Sequence, residues 1–544
     1  MKRAVVLFFL TTIAATTIAA ERSRFVVGVK PEWQAPGAKF RAIALAAKGD
    51  ASERNLRRFE KLDGFALDLT AAEAAALRRN DQVLFVDPVI EREITSDDRP
   101  QFGRPVLNID FVRQTIGWGV DAVNAREVWP YSRGEGVNVV VVDTGIDTHH
   151  PDLAPNYAGG YNTYTRTNDP TDDHYHGTHV SGIIGAADNG FGTVGVAPKV
   201  RLWAVKALAK NGFGSDENIA AAIDWAIAKK EELGGNWIMN FSLGSIFPSR
   251  FEAAAVLRGD DAGILMIAAA GNRAIPQVDY PGGYPGGVPI GAVDAASERA
   301  EFASYGAGLQ LSAPGVGVPS TVPVDSIDYA EVLLENGTTF KAWAHNGGPL
   351  GDATGKLVYC NLGNPEDFPA EVRGNIALIR RGQIQFRVKA RNAKAAGAAG
   401  VIVYNNQEFE DMEFWTFLAC GADGTEPCDE DKGFAFPLTV GVSMRDGERL
   451  LEQAGKVGAG ITHRMDDYLV ANGTSMASPH AAGVAALLWS LAPNATNEQI
   501  RLAMKLSAKD LGTVGWDMNY GYGMINALAA AKLLAPQRFG LPPA

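Results

Sequence analysis

Three polar side chains stand where a chain would place reactive groups. Asp143 ends the apolar run VNVVVVD and is followed by Thr144-Gly145. His176 lies in DDHYHGTHVSG, directly before Gly177. Ser475 lies in NGTSMASPH, just ahead of the apolar run AAGVAALLWSLA. Each alone has a structural reading: an acid at a strand end, a packed imidazole, a helix cap. Together they form a set for nucleophilic acyl transfer. A serine hydroxyl is a weak nucleophile and needs a base to take its proton. The base needs an acid to hold its tautomer and steady the cation that forms. Ser475 fits the nucleophile, His176 the base and Asp143 the orienting acid.

Such groups must be aimed by rigid elements. VNVVVVD is continuously apolar, the pattern of a strand buried on both faces. RLWAVKAL, NWIMNFSLG and GILMIAAAGN read the same way. Between them, SDENIAAAIDWAIAKKEELGG has helical spacing. Ser215 can cap that helix, Asp216 and Glu217 suit its positive end, and Gly234-Gly235 stops it. Alternating strands and helices predict an α/β fold with a doubly wound, mainly parallel sheet. Ligands of such sheets sit at the carboxyl ends of strands, where Asp143 stands. Ser475 is predicted at the start of a helix, whose N–H groups and partial positive charge favour an anion. Pro479 is expected within about the first turn, where a missing N–H costs least.

VVVVDTGID, HGTHVSG and GTSMASPH, in that order, resemble the three signatures of the subtilisin-like serine proteases. The order Asp, His, Ser is the one subtilisin itself uses. The resemblance implies a catalytic domain over 114–323 and 467–536, acting as a serine endopeptidase through an acyl-enzyme. AAAGN resembles the segment whose asparagine joins the Ser475 N–H in holding the substrate oxyanion, which makes Asn272 that donor. An extended peptide would bind by strand pairing. Ser242, Leu243 and Gly244 resemble the edge along the primary pocket. Gly212, Phe213 and Gly214 resemble the opposite edge, with Phe213 walling a more distant subsite, and Gly271 counts among the substrate-binding residues. VDYPGGYPG resembles the pocket base, with Asp279 where small residues are common. A carboxylate there implies a preference for Lys or Arg before the scissile bond.

A calcium site is also implied. QTIGWG, HPDL and AADNGFGTVGVAP resemble the parts of a high-affinity Ca2+ site. The ligands carried over are the side chains of Gln114, Asp152 and Asn189, with the carbonyls of Ala187, Phe191 and Thr193. An all-oxygen set of this kind suits calcium.

The chain has 544 residues, too many for one core. Residues 1–20 combine a basic MKR start, an apolar VVLFFL stretch and small residues to Ala19-Ala20, the pattern of a secretory signal peptide. Residues 21–113 read as a small α+β unit and linker. RFVVGVK, GFALDLT and QVLFVDPV are its strands, and ASERNLRRFEKL and AAEAAALRR its helices. This unit resembles an inhibitory propeptide that covers the site, templates folding and is cut off within 94–114. Arg113–Gln114 is one candidate bond, and a permanent accessory domain is the competing reading. The α/β rhythm stops near Pro323. Residues 324–466, with strands GKLVYC, GNIALIRRG, AGVIVYNN and FPLTVGVS, resemble an inserted, mainly-β protease-associated domain. It would gate the cleft, recruit substrates or mediate self-association. Residues 537–544 form a short tail.

The three cysteines, Cys360, Cys420 and Cys428, all lie in the insert, and Cys420–Cys428 would close a short loop. A net charge of −12 without a long Lys/Arg run argues against nucleic acid as a partner. No stretch after residue 20 is long enough for a membrane span. The expected partners are protein and peptide substrates and the chain's own propeptide. A peptidase-like binding protein would need a missing catalytic group. Another serine hydrolase, such as an esterase, is disfavoured because no Gly-x-Ser-x-Gly surrounds Ser475.

Overall fold

A computed structural model of the chain describes residues 22–30, 55–94, 113–345, 347–407 and 431–542. The predicted export segment, most of the linker and the Cys420–Cys428 pair lie outside the described residues.

The N-terminal unit contains β1 (Ser23–Val29), β2 (Arg57–Arg58), β3 (Gly64–Leu69), α1 (Ala71–Leu77), β4 (Val83–Pro88) and β5 (Glu91–Ile94). Four of these strands form a sheet in the order β2-β3-β1-β4. The Thr70 side chain caps α1 in a capping box with Glu73. The helix expected over ASERNLRRFEKL is not formed in its described part, which holds β2 and a turn. Tertiary contacts account for this. Asp224 accepts the backbone N–H groups of Glu60, Lys61 and Leu62 at 2.9, 2.5 and 3.1 Å. Phe59 packs its ring 4.8 Å from that of Phe251. A carboxylate and an apolar surface from another unit replace the helix's own bonds.

The central unit holds β6 (Thr115–Ile116), α2 (Trp118–Ala122), β7 (Val137–Asp143), β8 (Tyr157–Asn162), α3 (His176–Gly185), β9 (Thr193–Val194) and β10 (Arg201–Lys206). It continues with β11 (Phe213–Ser215), α4 (Asp216–Leu233), β12 (Asn236–Phe241), β13 (Leu243–Gly244) and α5 (Arg250–Asp261). Then come β14 (Ile264–Ala269), β15 (Gly287–Val293), β16 (Leu311–Pro314) and β17 (Val318–Thr321). Seven of these strands make one parallel sheet in the order β16-β15-β14-β12-β7-β10-β8. Along β7 the valines alternate between two cores. Val139 and Val141 join one, Val140 and Val142 the other, as a sheet covered on both faces requires. Successive strands leave β7 on both sides, to β10 and to β12. The carboxyl end of β7 is therefore a switch point with a crevice.

The insert is a closed barrel of seven strands. These are β18 (Ile327–Leu334), β19 (Thr339–Ala344), β20 (Gly351–Tyr359), β21 (Ile376–Arg380), β22 (Gly400–Tyr404), β23 (Leu438–Val442) and β24 (Gly458–Asp466). α6 (Phe386–Ala396) and α7 (Met444–Gln453) accompany them. The four strands expected from sequence are present, with α6 between β21 and β22. β18, β19 and β24, which close the barrel, were not foreseen. β25 (Tyr468–Ala471) then pairs antiparallel with β17, so the chain enters and leaves the insert side by side. α8 (Thr474–Leu491), α9 (Asn497–Leu506) and α10 (Ala527–Leu534) complete the central unit.

Candidate active site

Asp143 is the last residue of β7 and His176 the first of α3. Both side chains are fully buried, and His176 Nδ1 lies 2.7 Å from Asp143 Oδ1. That carboxylate oxygen also accepts the Thr144 N–H at 2.7 Å. Facing a carboxylate, Nδ1 carries the ring proton, which leaves Nε2 the basic nitrogen.

Ser475 sits at the start of α8, where Gly473 is the cap at φ 150°. Its hydroxyl donates to the Ser242 carbonyl at 2.9 Å. In return the Ser242 hydroxyl donates to the Ser475 carbonyl at 2.9 Å. Pro479 explains why that carbonyl is available. It stands sixth in the helix, beyond the first turn where sequence reasoning expected it. A residue there would normally give its N–H to the carbonyl four places earlier, which belongs to Ser475. Proline has none to give.

Asn272 follows β14. Its Oδ1 accepts the Thr474 N–H at 3.0 Å and the Thr474 hydroxyl at 2.8 Å. The same hydroxyl accepts the Gly271 N–H at 3.1 Å. With Oδ1 turned to Thr474, the NH2 arm of the planar amide points the other way. Gly271 has φ +104°, and a Cβ there would lie 2.6 Å from the Asp279 carboxyl carbon, so no side chain fits.

The two predicted substrate edges already hold a strand. β5 lies between β11 and β13 in a three-stranded antiparallel sheet. Phe213 pairs with Glu93, Gly214 with Arg92, Gly244 with Glu93 and Leu243 with Ile94. The Ile94 N–H donates to the Gly212 carbonyl at 3.1 Å. Phe213 leaves its ring exposed. The sequence did carry a faint signal for β5. Ile90, Arg92 and Ile94 alternate with Glu91 and Glu93, a period-two pattern with an arginine at an inward place.

A family model described as the subtilase family matches residues 134–345 and 453–523, more than half of the chain. The chain belongs to the subtilase family. A PA domain model matches residues 353–450, inside the insert. The "Thermostable alkaline protease" of Halalkalibacterium halodurans is 34% identical over 320 residues, 58% of this chain and 78% of that protein. "Subtilisin Savinase" of Lederbergia lenta is 41% identical over 213 residues, 39% of this chain and 76% of that protein. Among solved structures, the psychrophilic subtilisin-like protease Apa1 of the Antarctic psychrotroph Pseudoalteromonas sp. AS-11 superposes with a TM-score of 0.53 at 30% identity. That match covers 79% of this chain and all of Apa1. The protein is a subtilisin-like serine endopeptidase with an inserted protease-associated domain.

In this subtilase Asp279 is buried, as a pocket base would be, but it is not alone. Arg273 donates to Asp279 Oδ2 with one arm and to Glu93 Oε1 with the other. Burial pushes the Asp279 carboxyl up to about 6, while the Arg273 charge pulls it back down. The guanidinium that sequence reasoning assigned to a substrate is thus supplied from within. The expected preference for Lys or Arg before the scissile bond loses its electrostatic basis. Arg273 was missed because it directly follows Asn272, with nothing in the local pattern to mark it.

The residues of the expected calcium loop do come together. Asp152 is fully buried. Its carboxylate accepts from Asn189 Nδ2 at 2.8 Å, the Thr193 N–H at 2.9 Å and the Tyr468 hydroxyl at 3.1 Å. Gln114 Nε2 donates to the Ala187 carbonyl at 3.2 Å. β6 pairs with β9, which ties Thr115 to Thr193 and closes the loop on itself. The donor set is oxygen-rich with one buried carboxylate, which suits a hard cation. Half-turns of the Gln114 and Asn189 amides would direct their oxygens inward. The Phe191 side chain is exposed, so only its carbonyl is a candidate ligand. Tyr468 was not anticipated, since it is 316 positions from Asp152.

Proposed function

We propose that the chain is made as an exported, self-processing zymogen whose mature part cuts proteins through Asp143, His176 and Ser475. One observation carries this reading: β5 lies between the two substrate edges and points at the nucleophile, as a bound peptide would. Ser242, the residue before Leu243, is next in line after Ile94, and its carbonyl already holds the Ser475 hydroxyl.

The reaction follows. A substrate strand takes the place of β5, and the Ser475 hydroxyl turns from Ser242 towards His176 Nε2. Ser475 Oγ forms a bond to the substrate carbonyl carbon as its proton passes to Nε2. The new negative oxygen is held by the Ser475 N–H and the Asn272 NH2 arm. Asp143 holds the imidazolium through Nδ1–H. The C–N bond then breaks, and Nε2 gives its proton to the leaving amine. Water repeats the sequence on the ester, freeing the acid and restoring the hydroxyl.

Residues 21–113 act as the inhibitor before processing. Glu217 of α4 anchors them, taking Arg24 Nε at 2.7 Å and Arg57 Nη1 at 3.3 Å. Asp224 supports the docking through the three N–H groups already described. A Ca2+ ion would be held by the Gln114, Asp152 and Asn189 side chains and the Ala187, Phe191 and Thr193 carbonyls, bracing the loop. Among the described residues no helix is long and apolar enough to cross a membrane. Residues 1–20 supply the export signal. Casein hydrolysis by culture supernatant, with and without a serine-directed inhibitor, tests the reading. Casein cleavage that survives the inhibitor and the change Ser475→Ala would sink it.

A further inference from the structure

Arg92 is charged yet fully buried, 0% exposed. Its partner Glu252, on α5, is buried to the same degree. Arg92 Nε donates to Glu252 Oε1 at 3.0 Å, and Nη2 donates to Oε2 at 2.6 Å. The Tyr284 hydroxyl donates to Glu252 Oε2 at 3.0 Å and accepts the Ser249 N–H at 2.6 Å. Asp216, also buried, adds a second negative charge that favours the Arg92 cation. Its Oδ1 accepts the Ile90 N–H at 3.0 Å.

A buried ion pair is costly to assemble, and removing one partner costs more, because the other charge is stranded. Here the partners belong to separable units. When β5 leaves, Glu252 stays, with Tyr284 on one oxygen and the first turn of α5 behind it. The helix cap is Ser249 and Glu252 is the third helical residue, so the positive end of α5 steadies its charge. What remains is a pre-formed socket for a cation. Two oxygens answering two guanidinium nitrogens favour Arg over Lys, which offers a single point charge.

The register says which substrate residue reaches it. Ser215, Gly214 and Phe213 face Glu91, Arg92 and Glu93, and Gly244 and Leu243 face Glu93 and Ile94. A substrate strand in this register presents one residue to Ser242, beside Ser475. The residue three places earlier stands where Arg92 stands. We propose that Glu252, assisted by Tyr284 and Asp216, selects an arginine three places before the residue whose carbonyl is attacked. Arg92 is then the chain's own copy of that recognition element. This rests on the endopeptidase reading and on β5 being bound as a substrate is.

The test uses the mature wild-type enzyme and matched fluorogenic peptides that differ only at that position, carrying Arg, Lys, Leu, Ala or Glu. kcat/KM for Arg is expected to exceed that for Ala by roughly 10- to 100-fold, with Lys between them and Glu lowest. In a Glu252→Leu enzyme the Arg-to-Leu ratio is expected to invert. A ratio within one preparation is unaffected by how much enzyme is folded. If that variant does not mature, the wild-type series decides alone. Equal cleavage of the Arg and Ala peptides would overturn the proposal, as would an Arg preference that survives Glu252→Leu. Failure to cleave every peptide and casein as well would instead bring down the endopeptidase reading, and this proposal with it.

Discussion

Thr474, the residue before Ser475, gives both its N–H and its hydroxyl to Asn272 Oδ1. The proposed oxyanion donor and the proposed nucleophile thus share one mount. Losing the donor, in Asn272→Ala, is expected to lower kcat by about 10^2- to 10^3-fold with little change in KM, a size taken from subtilisin's own asparagine. Thr474→Val leaves one of the two bonds and is expected to lower kcat by roughly 10-fold, since it removes one neutral hydrogen bond. Because Thr474 acts through Asn272, its effect should nearly vanish in the Asn272→Ala background. Steady-state kinetics on the four proteins of this cycle check it. Full additivity would contradict the shared mount.

The strand register predicts where processing begins. Ile94 faces Leu243, and a strand continued in this register would present the next position to Ser242 and Ser475. The first bond cut is expected to be Thr95–Ser96, not the Arg113–Gln114 bond that the propeptide resemblance offered as a candidate. Early-time N-terminal sequencing of the product should read from Ser96. Ser475→Ala should leave the chain uncut. A first product that starts at Gln114 would refute the register argument.

Calcium is expected to act on stability rather than on chemistry, because the proposed loop is braced by Asp152 and Tyr468. A ligand present at 100 times its Kd adds about 2.7 kcal/mol to stability. A chelator should therefore lower the Tm of the wild-type protein by several degrees. Asp152→Asn should lower the Tm alone and abolish the response to chelator. Scans on an inactive Ser475→Ala background avoid self-digestion. A chelator response that persists in Asp152→Asn would place the ion elsewhere.

Acid should loosen the catalytic core through two histidines that the mechanism does not use. Burial lowers His179 to about 3 and His480 to about 4. His179 Nε2 meets the Leu469 carbonyl at 3.0 Å and His480 Nδ1 the Met476 carbonyl at 2.7 Å. Unfolded, both take protons near the ordinary value of about 6.5. Below that pH the unfolded chain binds more protons than the folded one, so stability falls as pH falls. The window runs from about 6.5 down to about 4 for His480 and about 3 for His179. Denaturant melts of Ser475→Ala between pH 7 and 4 should show a progressive loss, reduced in His480→Gln. A flat profile would mean that these rings protonate in the native state.

Much of the proposed catalytic centre was legible because its demands are local. An acid at a strand end, an imidazole at a helix start and a serine between small residues each leave a mark in a few neighbours. The parallel sheet was equally plain, since strands buried on both faces are apolar throughout, as VNVVVVD is. What stayed hidden depends on distant partners. Glu252 reads as an ordinary acid in the first turn of a helix until Arg92, 160 positions away, is brought against it. Asp279 invited a basic substrate until Arg273 arrived. The segment around Phe59 looked helical by spacing, and only Asp224, on another unit, shows why its N–H groups go elsewhere.

The barrel hangs from the endopeptidase by a ladder of four residue pairs, from Val318↔Ala471 to Thr321↔Tyr468. The outgoing rail of that ladder is crowded with attachments: Tyr468 touches Asp152, and the Leu469 carbonyl meets His179. It ends at Ala471, three residues before Thr474. A large protein held on the barrel would therefore bear on a strand that leads straight to the proposed nucleophile.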